Sequence, residues 1–264
     1  MDGPFTISVR DVYKRFPDGT LALEGVSAEV REAEFISLVG PSGCGKSTLL
    51  RILAGLEEVT SGAAMVGGFA PASPQARAEM AFVFQEPTLL PWRTVLYNIA
   101  LPLELRGVGT KERLGRAREV LDLVGLSARA GAFPRALSGG MKMRVSIARA
   151  LVTRPKILLM DEPFGALDEL TRQRLNDELL ALKQATGATV VFVTHNMFEA
   201  VYLSQRILVM TPHPGRIAEV LEVPVPYPRT PEFRASETYG KLVYRVLSVL
   251  EGDAKAASRT EVKA

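Results

Sequence analysis

The sequence predicts an α/β fold built on a mainly parallel β-sheet that is covered by helices. Apolar segments of strand length recur at residues 35–39, 157–160, 190–193 and 207–210. A helical pattern at about 168–185 lies between the second and the third of these segments. Strands that are apolar throughout are typical of parallel sheets, because such sheets are buried on both faces and need helical connections.

The N-terminal region predicts antiparallel β-structure ahead of this sheet. Phe5, Ile7 and Val9 alternate with polar residues, as in a half-buried strand. Residues 17–19 read Pro-Asp-Gly, which is typical of a turn, and residues 21–30 predict a second strand. The two strands are therefore expected to form a hairpin.

The middle of the chain predicts one short strand followed by helices. The apolar residues 81–84 form the strand, which ends at Gln85. Residues 95–135 show helical spacing with glycines as interruptions, most clearly over 111–125.

Residues 40–48 predict a phosphate-binding loop between a strand and a helix. They fit the pattern G-x-x-x-x-G-K-[ST] and comprise Gly40, Pro41, Ser42, Gly43, Cys44, Gly45, Lys46, Ser47 and Thr48. The glycines let backbone N–H groups turn inward, and the following helix offers its positive end to an anion. We expect Lys46 to reach the β- and γ-phosphates and Ser47 to bind Mg²⁺. The alternative is a glycine-rich turn that carries a lysine by chance.

Composition limits the other function classes. Lys and Arg exceed Asp and Glu by 32 to 29 in 264 residues, without a long basic run, so no nucleic-acid partner is predicted. The single cysteine, Cys44, indicates a reducing compartment, and it is either a reactive thiol at a helix start or a small filler of the loop. Apolar runs stay below the ~18 residues of a membrane span, so attachment to a membrane requires another protein.

A pair of carboxylates follows the buried strand at 157–160. Ligands of parallel α/β sheets bind at the carboxyl ends of strands, so Asp161 is expected to face the metal ion beside Ser47. Glu162 is expected to orient and deprotonate water, as phosphoryl transfer requires. The alternative is a helix cap next to a surface acid.

A second glycine-rich helix start lies at Ser138, Gly139 and Gly140. It is a potential anion receptor, and a second receptor is useful if it contacts a nucleotide that is bound to another chain. The alternative is a serine N-cap followed by flexible glycines.

These motifs together resemble the nucleotide-binding subunit of an ATP-binding cassette (ABC) transporter, and the resemblance extends over residues 5–219. It implies a P-loop NTPase fold (RecA-like) with a mainly parallel core, an N-terminal antiparallel β-subdomain and an inserted helical subdomain at about 88–152. The nucleotide-binding domain would span 1–222, and 223–264 would form a proline-rich linker with a short helical tail. ATP and Mg²⁺ are the implied cofactors.

The resemblance also implies roles for residues at further family motifs. Two copies would form an ATP-dependent head-to-tail dimer in which Ser138, Gly139 and Gly140 close over the γ-phosphate bound by the other chain. Gln85 would contact Mg²⁺ and the γ-phosphate, with strand capping as the alternative. His195 would be the switch histidine, with an ordinary loop histidine as the alternative.

Two further positions match the family with open alternatives. Asp168 lies in the D-loop that crosses between subunits, and it is also placed to be a plain helix N-cap. Phe16 matches the aromatic residue that stacks on adenine, whereas core packing near Tyr13 is the alternative.

The resemblance places the chain in the importer branch for nitrate, sulfonates, taurine and related compounds, on the stretches 197–204 and 212–216. That branch combines an extracytoplasmic solute-binding protein with two permeases and two copies of this subunit at the cytoplasmic face of the membrane. The apolar loop 87–92 is expected to receive the permease, unless Trp92 belongs to the core. The alternatives are a soluble cassette ATPase of translation or DNA repair, and an export subunit.

Overall fold

The computed structural model describes residues 5–212 and 214–261, and it describes side-chain surroundings for 6–212 and 214–252. The chain forms two compact units. The first unit combines the chain up to Glu79 with the chain from Thr189 onward, and the second unit is Met80–Ala188. Strands and helices are numbered along the chain.

The first unit contains an antiparallel sheet and a mainly parallel one. Its strands are β1 (Phe5–Arg15), β2 (Leu21–Arg31), β3 (Phe35–Val39), β4 (Ser61–Val66), β7 (Thr189–Thr194), β8 (Arg206–Met210) and β9 (Ile217–Glu222). Strand β1 pairs antiparallel with β2 and with β4. Strand β3 lies between β7 and β8 and is parallel to both, and β9 adds antiparallel to β8. The predicted hairpin is therefore confirmed.

The first unit also contains four α-helices among its described residues. They are α1 (Lys46–Leu53), α2 (Pro74–Glu79), α7 (Met197–Leu203) and α8 (Glu237–Glu261). Every residue of β3 and β7 is buried, and the rings of Phe35 and Phe192 lie 5.9 Å apart between their centroids. Complete burial explains why both strands are mostly apolar, with Ser37, Thr189 and Thr194 as their polar residues.

The second unit consists of a parallel strand pair and helices. Its elements are β5 (Met80–Val83), β6 (Ile157–Asp161), α3 (Val95–Leu105), α4 (Thr110–Leu123), α5 (Gly139–Leu151) and α6 (Glu169–Thr186). Strands β5 and β6 pair in parallel, and α3, α4 and α5 pack on one another. Helices α3, α4 and α5 fall within 88–152, the range expected for the helical subdomain. The domain boundaries themselves, 1–222 and 223–264, stay predictions.

Strands β4 and β9 and helix α2 are additional elements of the first unit that were not predicted from the sequence. Segment 223–235, expected as a linker, contacts α7 and contains a buried arginine, Arg229. Within the described part of the chain, the helices all fall short of the length and apolarity that a bilayer crossing requires.

Candidate functional site

Strand register brings two of the predicted site segments together in the first unit. Val39, the last residue of β3, pairs with Thr194, the last residue of β7. The loop 40–48 and His195 therefore leave the sheet side by side at the carboxyl edge, where α/β sheets bind ligands. His195 is exposed there. We call the loop and His195 the first half-site.

The loop follows a backbone path that requires glycine. Gly45 has φ 92°, and a Cβ at this position would lie 2.6 Å from Leu23 Cδ2 and 2.8 Å from the Ala22 carbonyl oxygen. A Cβ at Gly40 would lie 2.6 Å from the Cys44 sulfur. Such distances exclude a side chain at either glycine without a shift of the backbone. The backbone of the loop at Gly45 therefore lies directly against β2.

Lys46 closes the loop from inside. Its side chain is buried, and its ammonium group donates to the carbonyl oxygens of Gly40 (2.8 Å) and Pro41 (2.9 Å). Ser47 and Thr48 follow in the first turn of α1, which contains no acidic residue. An ammonium group at the positive end of a helix is suited to a polyphosphate.

Cys44 is fully buried in this loop. Burial raises the pKa of its thiol, and the charge of Lys46 only partly opposes this shift. The thiolate is the reactive form, so a raised pKa makes the thiol less reactive. These observations favour the small-filler alternative over the reactive thiol.

We expect the native protein to resist alkylation of Cys44 at pH 8. Labelling with iodoacetamide should be at least about 10-fold slower in the folded protein than in guanidinium-unfolded protein, because both access and the thiolate fraction are reduced. Mass spectrometry of the labelled chain measures both rates, and no second cysteine competes. Equal rates would show that the thiol is accessible and would restore the reactive alternative.

Phe16 lies outside the core, since its side chain is only partly buried. The ammonium group of Lys14 lies 5.0 Å from the centroid of the Phe16 ring. A cation this close to an aromatic ring is a cation–π contact. Partial exposure of the Phe16 side chain does not favour the core-packing alternative. Its contact with adenine stays a prediction.

Strand register also brings site residues together in the second unit. Val83 of β5 pairs with Met160 of β6, so Gln85 and the Asp161–Glu162 pair follow neighbouring strand ends. A Cβ built on Gly165 would lie 3.7 Å from both Gln85 Nε2 and Glu162 Oε2. The two side chains therefore approach the same point. We call Gln85, Asp161 and Glu162 the second half-site.

The two carboxylates of the second half-site differ in setting. Asp161 is buried, whereas Glu162 is partly exposed and has φ 43°. A non-glycine residue at such a φ costs about 1–3 kcal/mol and is concentrated at functional sites. The tight turn that follows is closed by the Gly165 N–H, which donates to the Glu162 carbonyl oxygen (3.1 Å). The strained turn fixes the direction in which the Glu162 side chain leaves β6.

Ser138 and Asp168 are helix N-caps in this structure. Ser138 Oγ accepts from the Met141 N–H at 3.3 Å, and Asp168 Oδ1 accepts from the Thr171 N–H at 3.0 Å. The bond from Thr171 lowers the pKa of Asp168, which keeps the cap ionised. Ser138 and Asp168 are both exposed, so capping leaves them accessible to another chain. Their predicted roles between subunits stay predictions.

Gly140 lies two residues after the Ser138 cap, and a side chain at this position would collide with α6. A Cβ at this position would lie 2.9 Å from Thr171 Cγ2 of α6. Gly139 has more space, with the nearest atom, Leu167 Cδ2, at 3.5 Å. Close packing of α5 on α6 therefore depends on Gly140.

Trp92 is 72% exposed and does not belong to the core. Its loop is fixed by Asn98, a fully buried residue of α3. The Asn98 side chain accepts from the Leu90 N–H (2.7 Å) and donates to the carbonyl oxygens of Leu90, Arg93 and Thr94 (3.0–3.1 Å). An exposed indole on a rigid loop is typical of a protein interface.

Arg149, in the last turn of α5, supports the preceding part of that loop. Its guanidinium donates to the carbonyl oxygens of Pro87 (2.8 Å) and Thr88 (2.9 Å), where Thr88 has φ 44°. Sequence reasoning missed both Asn98 and Arg149. The hydrogen-bond partners of both residues come close only in the folded structure. For Asn98, the only signal in the sequence is a polar residue within a largely apolar helix.

Comparisons with known proteins agree with the motifs. A family model described as "ABC transporter" matches residues 23–165. The chain is 41% identical to an aliphatic sulfonates import ATP-binding protein of Bacillus cereus, over 93% of this chain and 96% of that protein. It is 50% identical to a taurine import ATP-binding protein of Rhizobium johnstonii, over 74% of each. A dimeric ATP-binding cassette in a post-hydrolysis state with ADP and Pi is structurally similar, with a TM-score of 0.74 and 33% identity over 83% of this chain and 99% of that one.

Proposed function

Because this chain belongs to the ABC transporter family and is one of its ATP-hydrolysing subunits, we propose that it drives uptake of a small sulfonate-like or taurine-like solute through separate permeases. The observation that carries this proposal is the identity of 41–50% to import ATP-binding proteins for those solutes. The specificity for the solute itself would reside in the partner proteins, including an extracytoplasmic solute-binding protein.

In the proposed reaction, the first half-site binds the phosphates of ATP. Lys46 exchanges its bonds to the loop carbonyls for bonds to the β- and γ-phosphates, and backbone N–H groups of the loop complete the cradle. Phe16 stacks on the adenine. His195, which leaves the same sheet edge, contacts the γ-phosphate. Two observations support this role of Lys46: its side chain is buried inside the loop, and the first turn of α1 contains no acidic residue.

The donor set is suited to Mg²⁺. Ser47, Gln85 and Asp161 offer a hydroxyl, an amide oxygen and a carboxylate, which are hard oxygen ligands. When bound, Mg²⁺ would neutralise charge on the phosphates. Glu162 would hold the attacking water and accept its proton.

A second copy of the chain completes the site in this proposal. Ser138, Gly139 and Gly140 of the partner contact the γ-phosphate, and Asp168 lies at the crossing between the subunits. ATP then stabilises the closed dimer because it binds that form more tightly than the open one. Hydrolysis removes the γ-phosphate and with it this differential affinity, so the dimer reopens.

The proposed permease contact is the exposed loop around Trp92, which would hold the subunit at the cytoplasmic face of the membrane. Rigid support by Asn98 means that little conformational entropy is lost when a partner covers the indole.

We expect Trp92→Ala to release the subunit from its permeases. Loss of a buried indole at an interface costs at least about 2 kcal/mol, which is a roughly 30-fold loss of affinity. Co-expression with candidate permeases encoded by neighbouring genes, followed by affinity purification through a permease tag, measures the amount of subunit retained. Leu123→Ala, at another exposed apolar side chain of the second unit, is the matched control and should be retained in full. Full retention of the Trp92 variant would contradict the docking role, and wild-type chain that binds no membrane protein would contradict the importer function.

A further inference from the structure

Helix α7, which follows His195, is capped at its C-terminal end by a buried arginine. Arg229 Nη1 donates to the carbonyl oxygens of Val201 (3.1 Å) and Tyr202 (2.8 Å). Its other nitrogens donate to the Val225 carbonyl oxygen, and the guanidinium lies 4.7 Å from the centroid of the Tyr227 ring. The last carbonyls of a helix lack intrahelical donors and carry partial negative charge, so a buried guanidinium is stabilised there.

Two tyrosine hydroxyls add contacts between this segment and α7, one at each end of the helix. The Tyr227 hydroxyl donates to the Leu203 carbonyl oxygen, and the Tyr239 hydroxyl donates to that of Phe198 at 2.9 Å. Burial raises the pKa of Tyr227 to about 12, so this hydroxyl remains a donor at neutral pH. We call residues 227–239 the C-terminal clamp, because donors from this segment bind along α7.

The N-terminal end of α7 is bonded to the turn that carries His195. Asn196 Oδ1 accepts from the N–H groups of Phe198 (2.9 Å) and Glu199 (3.3 Å). Thr194 Oγ1 donates to Glu199 Oε2 (2.5 Å) and accepts from the Asn196 N–H (2.9 Å). Residues on both sides of His195 are therefore attached to the first turn of the helix.

A helix as short as α7, with seven residues, has little stability of its own. Its placement depends on the contacts at its two ends and on packing. The end capped by Arg229 lies about 10 Å from the His195 turn along the helix axis, at 1.5 Å per residue. The helix is therefore the route by which a shift at one end would reach the other.

We propose that Arg229 is a positioning residue for ATP hydrolysis: by capping α7, the C-terminal clamp holds the His195 turn in the position that hydrolysis requires. This inference rests on the role of His195 given under Proposed function. The hydrogen bonds that the structure describes for Arg229 join it to α7 and to its own segment, so it acts through the helix and not on the nucleotide.

The test compares Arg229→Met and Arg229→Lys in the full chain with Arg245→Ala as the control. Arg245 is an exposed arginine of α8 that pairs with Glu219, so its loss removes the same charge from the C-terminal region without touching α7. Arg229→Met removes charge-assisted hydrogen bonds at the end of α7, so it should accelerate hydrogen exchange over residues 195–203 by about 10-fold or more. kcat for ATP should fall by about 10-fold as the turn loses its position, whereas the dissociation constant of ATP changes by less than about twofold. Arg229→Lys should recover part of kcat, and the control should match the wild type.

A double-mutant cycle with His195→Ala separates positioning from a general loss of structure. If Arg229 acts through the turn, Arg229→Met should lower kcat by less than about twofold further in the His195→Ala background. Where Arg229→Met does not fold, Tyr239→Phe removes a single hydroxyl of the clamp and should move exchange and kcat in the same direction by about threefold.

Unchanged exchange over residues 195–203, or losses in kcat that multiply in the cycle, would overturn the proposal. A wild-type rate for His195→Ala would contradict the proposed role of His195 and remove the basis for positioning. The two failures are distinguishable. If only the role of His195 is wrong, hydrogen exchange in Arg229→Met should still be faster, because Arg229 would still cap α7.

Discussion

Glu162→Gln is expected to leave ATP binding intact and to stop hydrolysis. The replacement keeps the size of the side chain and the strained turn at φ 43°, but an amide accepts no proton from the attacking water. Loss of a general base typically costs about 10²–10⁴ in rate, so kcat should fall by at least about 100-fold. Since the γ-phosphate then persists, ATP should hold the closed dimer. Phosphate release measures kcat, and gel filtration with ATP measures dimerisation.

Glu119→Gln is the matched control for this experiment, because it removes a carboxylate from an exposed position of α4 in the same unit. We expect its rate and its elution to equal those of the wild type. A Glu162→Gln variant that hydrolyses ATP at the wild-type rate would remove Glu162 from the role of base. A variant that has lost ATP affinity would instead assign Glu162 to binding.

The central elements could be predicted because their residues carry local signals. The mostly apolar strands β3 and β7 and the glycine pattern of loop 40–48 can be read without knowledge of distant partners, and similarity to solved cassettes confirms the predicted α/β fold. The order of the motifs along the chain was also sufficient to indicate the family, which the matched family model confirms. Within each unit, strand ends in register then explain why residues far apart in sequence follow neighbouring strand ends.

Elements that depend on distant partners could not be predicted. Strand β4 reads Ser-Gly-Ala-Ala-Met-Val and is mostly exposed, so its extended form comes from pairing with β1 and not from propensity. Strand β9 likewise alternates between partly buried and exposed residues and exists through its pairing with β8. Helix α2 has six residues, too few for a periodic pattern.

The sequence left Trp92 and Cys44 with two alternatives each, and the structure distinguishes between them by burial. Trp92 is exposed because Asn98 fixes its loop at the surface, and Cys44 is buried beneath the glycine-rich backbone. Amino-acid type alone is uninformative in both cases, since tryptophan occurs in cores and at interfaces, and cysteine is both a small hydrophobe and a nucleophile.

Lys46→Ala is expected to abolish nucleotide binding. The ammonium group already lies inside the loop, bonded to the carbonyl oxygens of Gly40 and Pro41, so its transfer to phosphate oxygens requires no movement of α1. Each charge-assisted bond contributes about 1.5–3 kcal/mol, and loss of two should weaken ATP affinity by at least about 100-fold. Equilibrium dialysis with labelled ATP measures this affinity.

Arg51→Ala is the control for Lys46→Ala, because it removes a positive charge from the exposed last turn of the same helix. Its affinity for ATP should stay within about twofold of the wild type, since the helix dipole and its charges act on ligands mainly within one turn. Lys46→Met adds a variant that keeps the apolar stem in the buried position and should bind ATP as poorly as Lys46→Ala. Unaltered affinity in both Lys46 variants, with folding verified by circular dichroism, would contradict the assignment of loop 40–48 as the triphosphate site. Equal losses in Arg51→Ala and Lys46→Ala would instead point to net charge, because only a contact inside the loop distinguishes the two positions.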